Sequence, residues 1–79
     1  MIVKLKYMGV VHDGMPDVLE LEEGATVKTL KNALKDASSI DIKPIIANAS
    51  FIVNNVYADE DTILEDNSQV IVLTPLGGG

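Results

Sequence analysis

The sequence contains no cysteine among its 79 residues. That absence excludes disulfides, thiolate zinc sites and cysteine nucleophiles. Arginine is also absent, and six lysines stand against twelve acidic residues, for a net charge of −6. Nucleic-acid binding draws much of its affinity from phosphate neutralisation, so this balance argues against nucleic acid as a partner. Histidine occurs once, at His12. The longest purely aliphatic run, Val70-Ile71-Val72-Leu73, is far too short to span a membrane. The N-terminal Met-Ile-Val-Lys-Leu-Lys alternates instead of forming an apolar core, so no signal peptide is evident and the expected compartment is the cytoplasm.

What remains is enough for one small globular domain. Hydrophobic residues make up 47% of the chain and charged residues 23%, a balance that a disordered segment does not reach. Val3, Leu5 and Tyr7 alternate with Lys4 and Lys6, the period of a strand with one buried face. Leu19 and Leu21 alternate with Glu20 and Glu22 in the same way. Asp13-Gly14 between them signals a hairpin. A two-residue turn there would set Lys6 opposite Leu21 on one face, against the pattern. An odd loop or bulge, with Lys6 opposite Glu20 or Glu22, is expected instead, with Pro16 at its edge.

Thr26 is placed to cap a helix in which Val27, Leu30, Leu34 and Ala37 recur at helical spacing, with Lys28, Lys31 and Lys35 on the solvent side. The stretch Ile40 to Ala49 is interrupted by Pro44 and reads as a loop with one helical turn after the proline. Phe51-Ile52-Val53 is a third strand, Asn54-Asn55 a tight turn, and Val56-Tyr57 a short return strand. Turns at Asp59–Thr62 and Asp66–Ser68 precede a last strand, Gln69 to Thr74. That strand is apolar on both faces and therefore central in its sheet.

The order strand, strand, helix, strand, short strand, strand fits an α+β fold. It would be a ubiquitin-like β-grasp, a mixed sheet of four to five strands with one main helix packed across it. Residues 1–75 would form the single domain and 76–79 a flexible glycine tail.

Several segments carry a family resemblance. They are Ile2-Val3-Lys4-Leu5-Lys6-Tyr7, Glu23-Gly24-Ala25-Thr26-Val27, Phe51-Ile52-Val53-Asn54-Asn55 and Asp61-Thr62-Ile63-Leu64-Glu65-Asp66. Gln69 through Leu76 continue the series, which ends in Gly78-Gly79. Together they resemble the sulfur-carrier family that includes the small subunit of molybdopterin synthase and the thiamine-biosynthesis carrier, both relatives of ubiquitin. The chain departs from that pattern at Asn54-Asn55, where the family often has Asn-Gly, and at Asn67-Ser68, where a glycine–acid pair is usual. Its tail, Thr74-Pro75-Leu76-Gly77-Gly78-Gly79, lacks the commoner double proline, and the first hairpin lacks the basic motif frequent in molybdopterin-synthase subunits.

The resemblance implies that the chain is no enzyme of its own but a co-substrate. An α-carboxylate is ionised at neutral pH and is a poor electrophile until activated. A ubiquitin-activating-like adenylating enzyme would use ATP to adenylate Gly79, and a sulfur donor would convert it to a thiocarboxylate. The sulfur would then pass to a cofactor precursor held by a partner, the large subunit of molybdopterin synthase or a thiazole synthase. No cofactor would be bound by the chain. Pro75, Leu76, Gly77 and Gly78 would thread the tail into the activating site. Glycine passes close to backbone without clashing, proline limits the entropy at the root, and the four residues from Leu76 to Gly79 span at most about 14 Å.

Two alternatives share the same sequence features. One is a ubiquitin-like modifier joined to other proteins through Gly79, the other a plain interaction domain with an inert tail. By analogy with ubiquitin, Val70 and Val72 point inward. Ile71 and Leu73 then join Lys4 and Lys6 on the open sheet face as a docking surface for partners.

Other signals carry less. Asp59, Glu60 and Asp61, with Glu65 and Asp66, lack the glycine and ligand intervals of a calcium loop and read as a solvated acidic loop. His12 beside Asp13 has no nucleophile tied to it. Gly9 and Gly14 have phosphate-loop spacing, but Met15-Pro16 stand where the motif needs Lys-Ser/Thr. Asn48-Ala49-Ser50 is a glycosylation sequon without a secretory context.

Overall fold

The computed structural model describes residues 1–9 and 15–74. Its elements are β1 (Ile2–Met8), β2 (Val18–Glu20), α1 (Val27–Ala37), α2 (Lys43–Ala47), β3 (Ser50–Val53), β4 (Val56–Ala58) and β5 (Ser68–Leu73). The five strands form one sheet in the order β2-β1-β5-β3-β4. β5 is central, parallel to β1 and antiparallel to β3. This is the β-grasp that the element order predicts, with the full five strands.

Alternation builds the core. Val3 and Leu5 from β1, Phe51 and Val53 from β3, and Val70 and Val72 from β5 point to one side of the sheet. There they meet Val27, Leu30 and Leu34 of α1, Ile42 and Ile46 around α2, and Leu64. Ala37, expected to close the helical stripe, is exposed at the last residue of α1. Ile42 and Ile46 fill the core at that end of the helix instead. The single turn after Pro44 is α2, with the proline in its first turn, where a missing amide costs nothing.

The N-terminus of α1 is finished from two directions. Thr26 accepts a hydrogen bond from the Thr29 amide at 3.4 Å, and the Thr29 hydroxyl accepts from the Thr26 amide at 3.3 Å, a capping box with threonine in the usual Glu position. The next free amides are met by a distant loop: Val27 donates to the Thr62 carbonyl at 3.0 Å and Lys28 to the Glu60 carbonyl at 3.1 Å. Leu64 donates to the Ala25 carbonyl at 2.8 Å. Residues 60–64 thus strap the start of the helix, and Leu64 enters the core beneath them.

Positive φ occurs where the sequence places short polar residues. Asn54 and Asn55 (φ 49° and 72°) make the two-residue turn between β3 and β4, and Asn67 (φ 64°) turns into β5. The first hairpin differs from expectation. Val3 lies opposite Leu19 and Lys4 opposite Val18, so the two leucine-bearing strands do share their inward face. The register is four or six residues from the two expected ones, however, and Lys6 faces neither Glu20 nor Glu22. The cause lies at the strand starts: the Met1 ammonium donates to the Leu21 carbonyl at 2.8 Å and the Leu21 amide to the Met1 carbonyl at 2.9 Å. Pairing therefore begins at the first residue and leaves a long connection. Asp13-Gly14 and His12 lie in that connection, outside the described residues.

Candidate functional site

β5 delivers the chain to Thr74, after which the tail residues follow in sequence. Pro75, Leu76, Gly77, Gly78 and Gly79 lie outside the described residues. Thr74 itself is buried, at 3% exposure. Its amide and its hydroxyl both donate to the Met8 carbonyl, at 2.8 and 3.0 Å. The residue before a proline is held to extended conformations by the proline ring, which suits the exit from a strand.

The four residues assigned to docking lie on one face, opposite α1. In β5, Val70 and Val72 are 1% and 0% exposed, whereas Ile71 and Leu73 are half-buried on the other side. Lys6 lies beside Ile71 across the parallel pair, and Lys4 beside Gln69. Leu73 lies between Met8 and Ser50 rather than beside a lysine. A shallow depression of about 250 Å³ is lined by Lys4, Lys6, Asn55, Gln69 and Ile71, among others.

The strand order extends this face beyond the residues that sequence reasoning named. Ile52 pairs with Ile71 on one side and with Tyr57 on the other. Tyr57, Ile52, Ile71 and Lys6 therefore form one row across four strands, and Tyr57 is 71% exposed at its end. Met8 and Val18, also exposed, flank the lysines. Once the Asn-Asn turn sets β4 antiparallel to β3, the pairing of Tyr57 with Ile52 follows; that was the available signal. An apolar row in an acidic chain, edged by two of its six lysines, is suited to a partner surface with apolar and acidic groups.

Three of the acidic residues, Asp59, Glu60 and Asp66, hold local structure. Asp59 accepts from the Asp61 amide at 3.0 Å and from the Thr62 hydroxyl at 3.2 Å, closing the strap as a turn. Asp66 accepts from the Ile2 amide at 2.7 Å, and Glu60 pairs with Lys31 at 3.1 Å. Lys31 is thus not simply on the solvent side of the helix: its side chain is 17% exposed and bent onto the strap. Among the described residues no group of three or more acidic or histidine side chains is arranged to hold a metal.

Tyr7 continues the inward face of β1 at its open end. Its hydroxyl donates to the Pro16 carbonyl at 2.6 Å, and burial, reinforced by the nearby Asp17 charge, pushes its pKa up to about 12. This bond holds residues 15–17 across the end of the core, where Met15 packs.

Comparison with known proteins agrees with this geometry. The sequence model of the ThiS family matches residues 5–79. No curated protein matches the chain in sequence. Among solved structures, a chain from the protein–protein complex of subunits 1 and 2 of molybdopterin-converting factor from Helicobacter pylori 26695 is similar in fold. Its TM-score is 0.65 at 20% identity, with both chains covered in full. Among the described residues no helix is long and apolar enough to cross a membrane.

Proposed function

The chain belongs to the ThiS family of small sulfur carriers, and on that premise we propose that its sulfur is carried as a thiocarboxylate on Gly79. The observation that carries this reading is a β-grasp whose central strand ends at Leu73, followed closely by a glycine tail that the family match spans to its last residue. The chain has no thiol, so a terminal carboxylate is the group on which it can hold transferable sulfur.

The chemistry is performed on the chain by another protein. The Gly79 carboxylate attacks the α-phosphorus of ATP, pyrophosphate leaves, and the acyl adenylate forms. A hydrosulfide-level donor then attacks the acyl carbon and displaces AMP, leaving the thiocarboxylate. The activating enzyme supplies ATP binding and catalysis; this chain supplies a body to dock and a side-chain-free end to insert. The sulfur acceptor is a cofactor precursor held by a larger synthase subunit, the class of partner represented in the molybdopterin-converting factor complex. Docking of both partners is assigned to the open face, through Ile71 and Leu73 with Lys4 and Lys6 at the rim and Ile52 and Tyr57 extending it.

The test is intact-mass spectrometry after incubation with ATP, a ubiquitin-activating-like enzyme of the same cell and a sulfur source. The protein should gain the difference between sulfur and oxygen. A chain lacking Gly79 should gain nothing, and equal behaviour of the two chains would refute the assignment.

A further inference from the structure

Gly9 follows β1 with a φ of +99°, a backbone region that side chains disfavour. A second constraint acts on the same residue. A Cβ built on Gly9 would stand 2.3 Å from the Thr74 carbonyl oxygen and 2.6 Å from its hydroxyl oxygen. Gly24, the other described glycine with positive φ, has nothing within 4 Å of that position. Gly9 is therefore required at this point by contact, and the group it contacts is the residue at the root of the tail.

We propose that Gly9 and Thr74 form a clasp that fixes where and in which direction the tail leaves the body, making Gly9 a positioning residue for activation of Gly79. This rests on the sulfur-carrier reading. The clasp has two halves. The Met8 carbonyl accepts both the amide and the hydroxyl of Thr74, and the bare Cα of Gly9 lets the Thr74 backbone lie against it. With a methyl at position 9, the Thr74 carbonyl has to move by about 1 Å before the contact becomes ordinary, because a backbone atom cannot rotate aside as a side-chain tip can. A misplacement of that size arising away from the chemistry can cost up to about a hundredfold in rate where it is passed on to the reacting group. Of the docking residues only Leu73 adjoins the clasp, and Ile71, Lys4 and Lys6 lie away from it, so the loss should fall chiefly on turnover.

The experiment compares wild type, Gly9→Ala, Thr74→Val and Thr74→Ser in two measurements. The first is amide hydrogen exchange of Thr74 against that of Val70 and Val72. Gly9→Ala and Thr74→Val should speed exchange at Thr74 at least tenfold with the other two amides unchanged, and Thr74→Ser should resemble wild type. The second is adenylation of the chain by the activating enzyme, read as ATP–pyrophosphate exchange. Gly9→Ala should lower kcat tenfold to a hundredfold with KM for the chain within about twofold, Thr74→Val should lower kcat several-fold, and Thr74→Ser should restore it. Unchanged exchange at Thr74 in Gly9→Ala overturns the clasp whatever the protein does. Disturbed exchange with unchanged kcat, or loss carried by KM alone, overturns its positioning role. No adenylation of wild type overturns the sulfur-carrier reading and with it that role, leaving the exchange result to decide the contact alone.

Discussion

One strand of this protein serves two surfaces with opposite demands. Val70 and Val72 of β5 are closed in under α1, and Ile71 and Leu73, alternating with them, are left half open on the other side. The inner residues meet only their own chain, with Val3, Leu30 and Leu34 among their cluster. Of the outer ones, Ile71 lies between Lys6 and Ile52, and Leu73 between Met8 and Ser50. Apolar content alone does not separate the two faces. What separates them is whether the fold itself supplies a cover, and among the described residues only the helical side has one.

The sharpest way to break that contrast is from the inner side. Leu34→Ala removes a fully buried side chain and should lower stability by about 2–5 kcal/mol in chemical denaturation. The folded fraction should still bind the activating enzyme with wild-type affinity. The mirror experiment is Ile71→Asp, which should cost about 1–2 kcal/mol of stability but weaken partner binding by at least about tenfold in calorimetry. If Ile71→Asp binds normally, the open face is not the docking surface.

Tyr7→Phe tests the open end of the inner face. Loss of the bond to the Pro16 carbonyl should cost about 1 kcal/mol at neutral pH. Its pH dependence has a definite sign. The folded pKa of Tyr7, about 12, lies above the ordinary value of 10.0. Its contribution is therefore complete below pH 10 and is lost as pH rises toward 12. Wild type should lose stability across that window more steeply than Tyr7→Phe, as followed by thermal melts. Smallest of all should be Lys31→Ala, which breaks an ion pair with the more exposed Glu60 and should change stability by less than about 1 kcal/mol.

The inner face was legible because period-2 and helical patterns report burial directly. Val3, Leu5, Leu30 and Leu34 all fall where the periodic patterns put them, whereas the last strand is apolar on both faces and only the analogy with ubiquitin turns Val70 and Val72 inward. The hairpin offset was not legible, since it depends on Met1 pairing with Leu21, and a chain's first residue carries no pattern. Ala37 misled because the helical period continues past the point where α2 takes over the packing. Of the candidate surface, Lys4 and Lys6 are placed by the alternation of β1, and Ile71 and Leu73 join them through the analogy with ubiquitin. Ile52 and Tyr57 join them only through strand order. Gly9 has no readable signal at all, because its role is a contact with a residue sixty-five positions away in the sequence.

The strap over the start of α1 has a consequence for how the protein comes into being. The first turn of the helix is completed by carbonyls at Glu60 and Thr62, and β1 and β3 are joined only through β5. A nascent chain that has emerged as far as Ala58 holds a helix with unfinished amides and two hairpins with no common partner. The last strand to be synthesised closes the sheet, and the glycine tail is attached to that strand. The pairings of β5 with β1 and β3, which make one sheet of the two hairpins, therefore form only after every other strand of the sheet has been made.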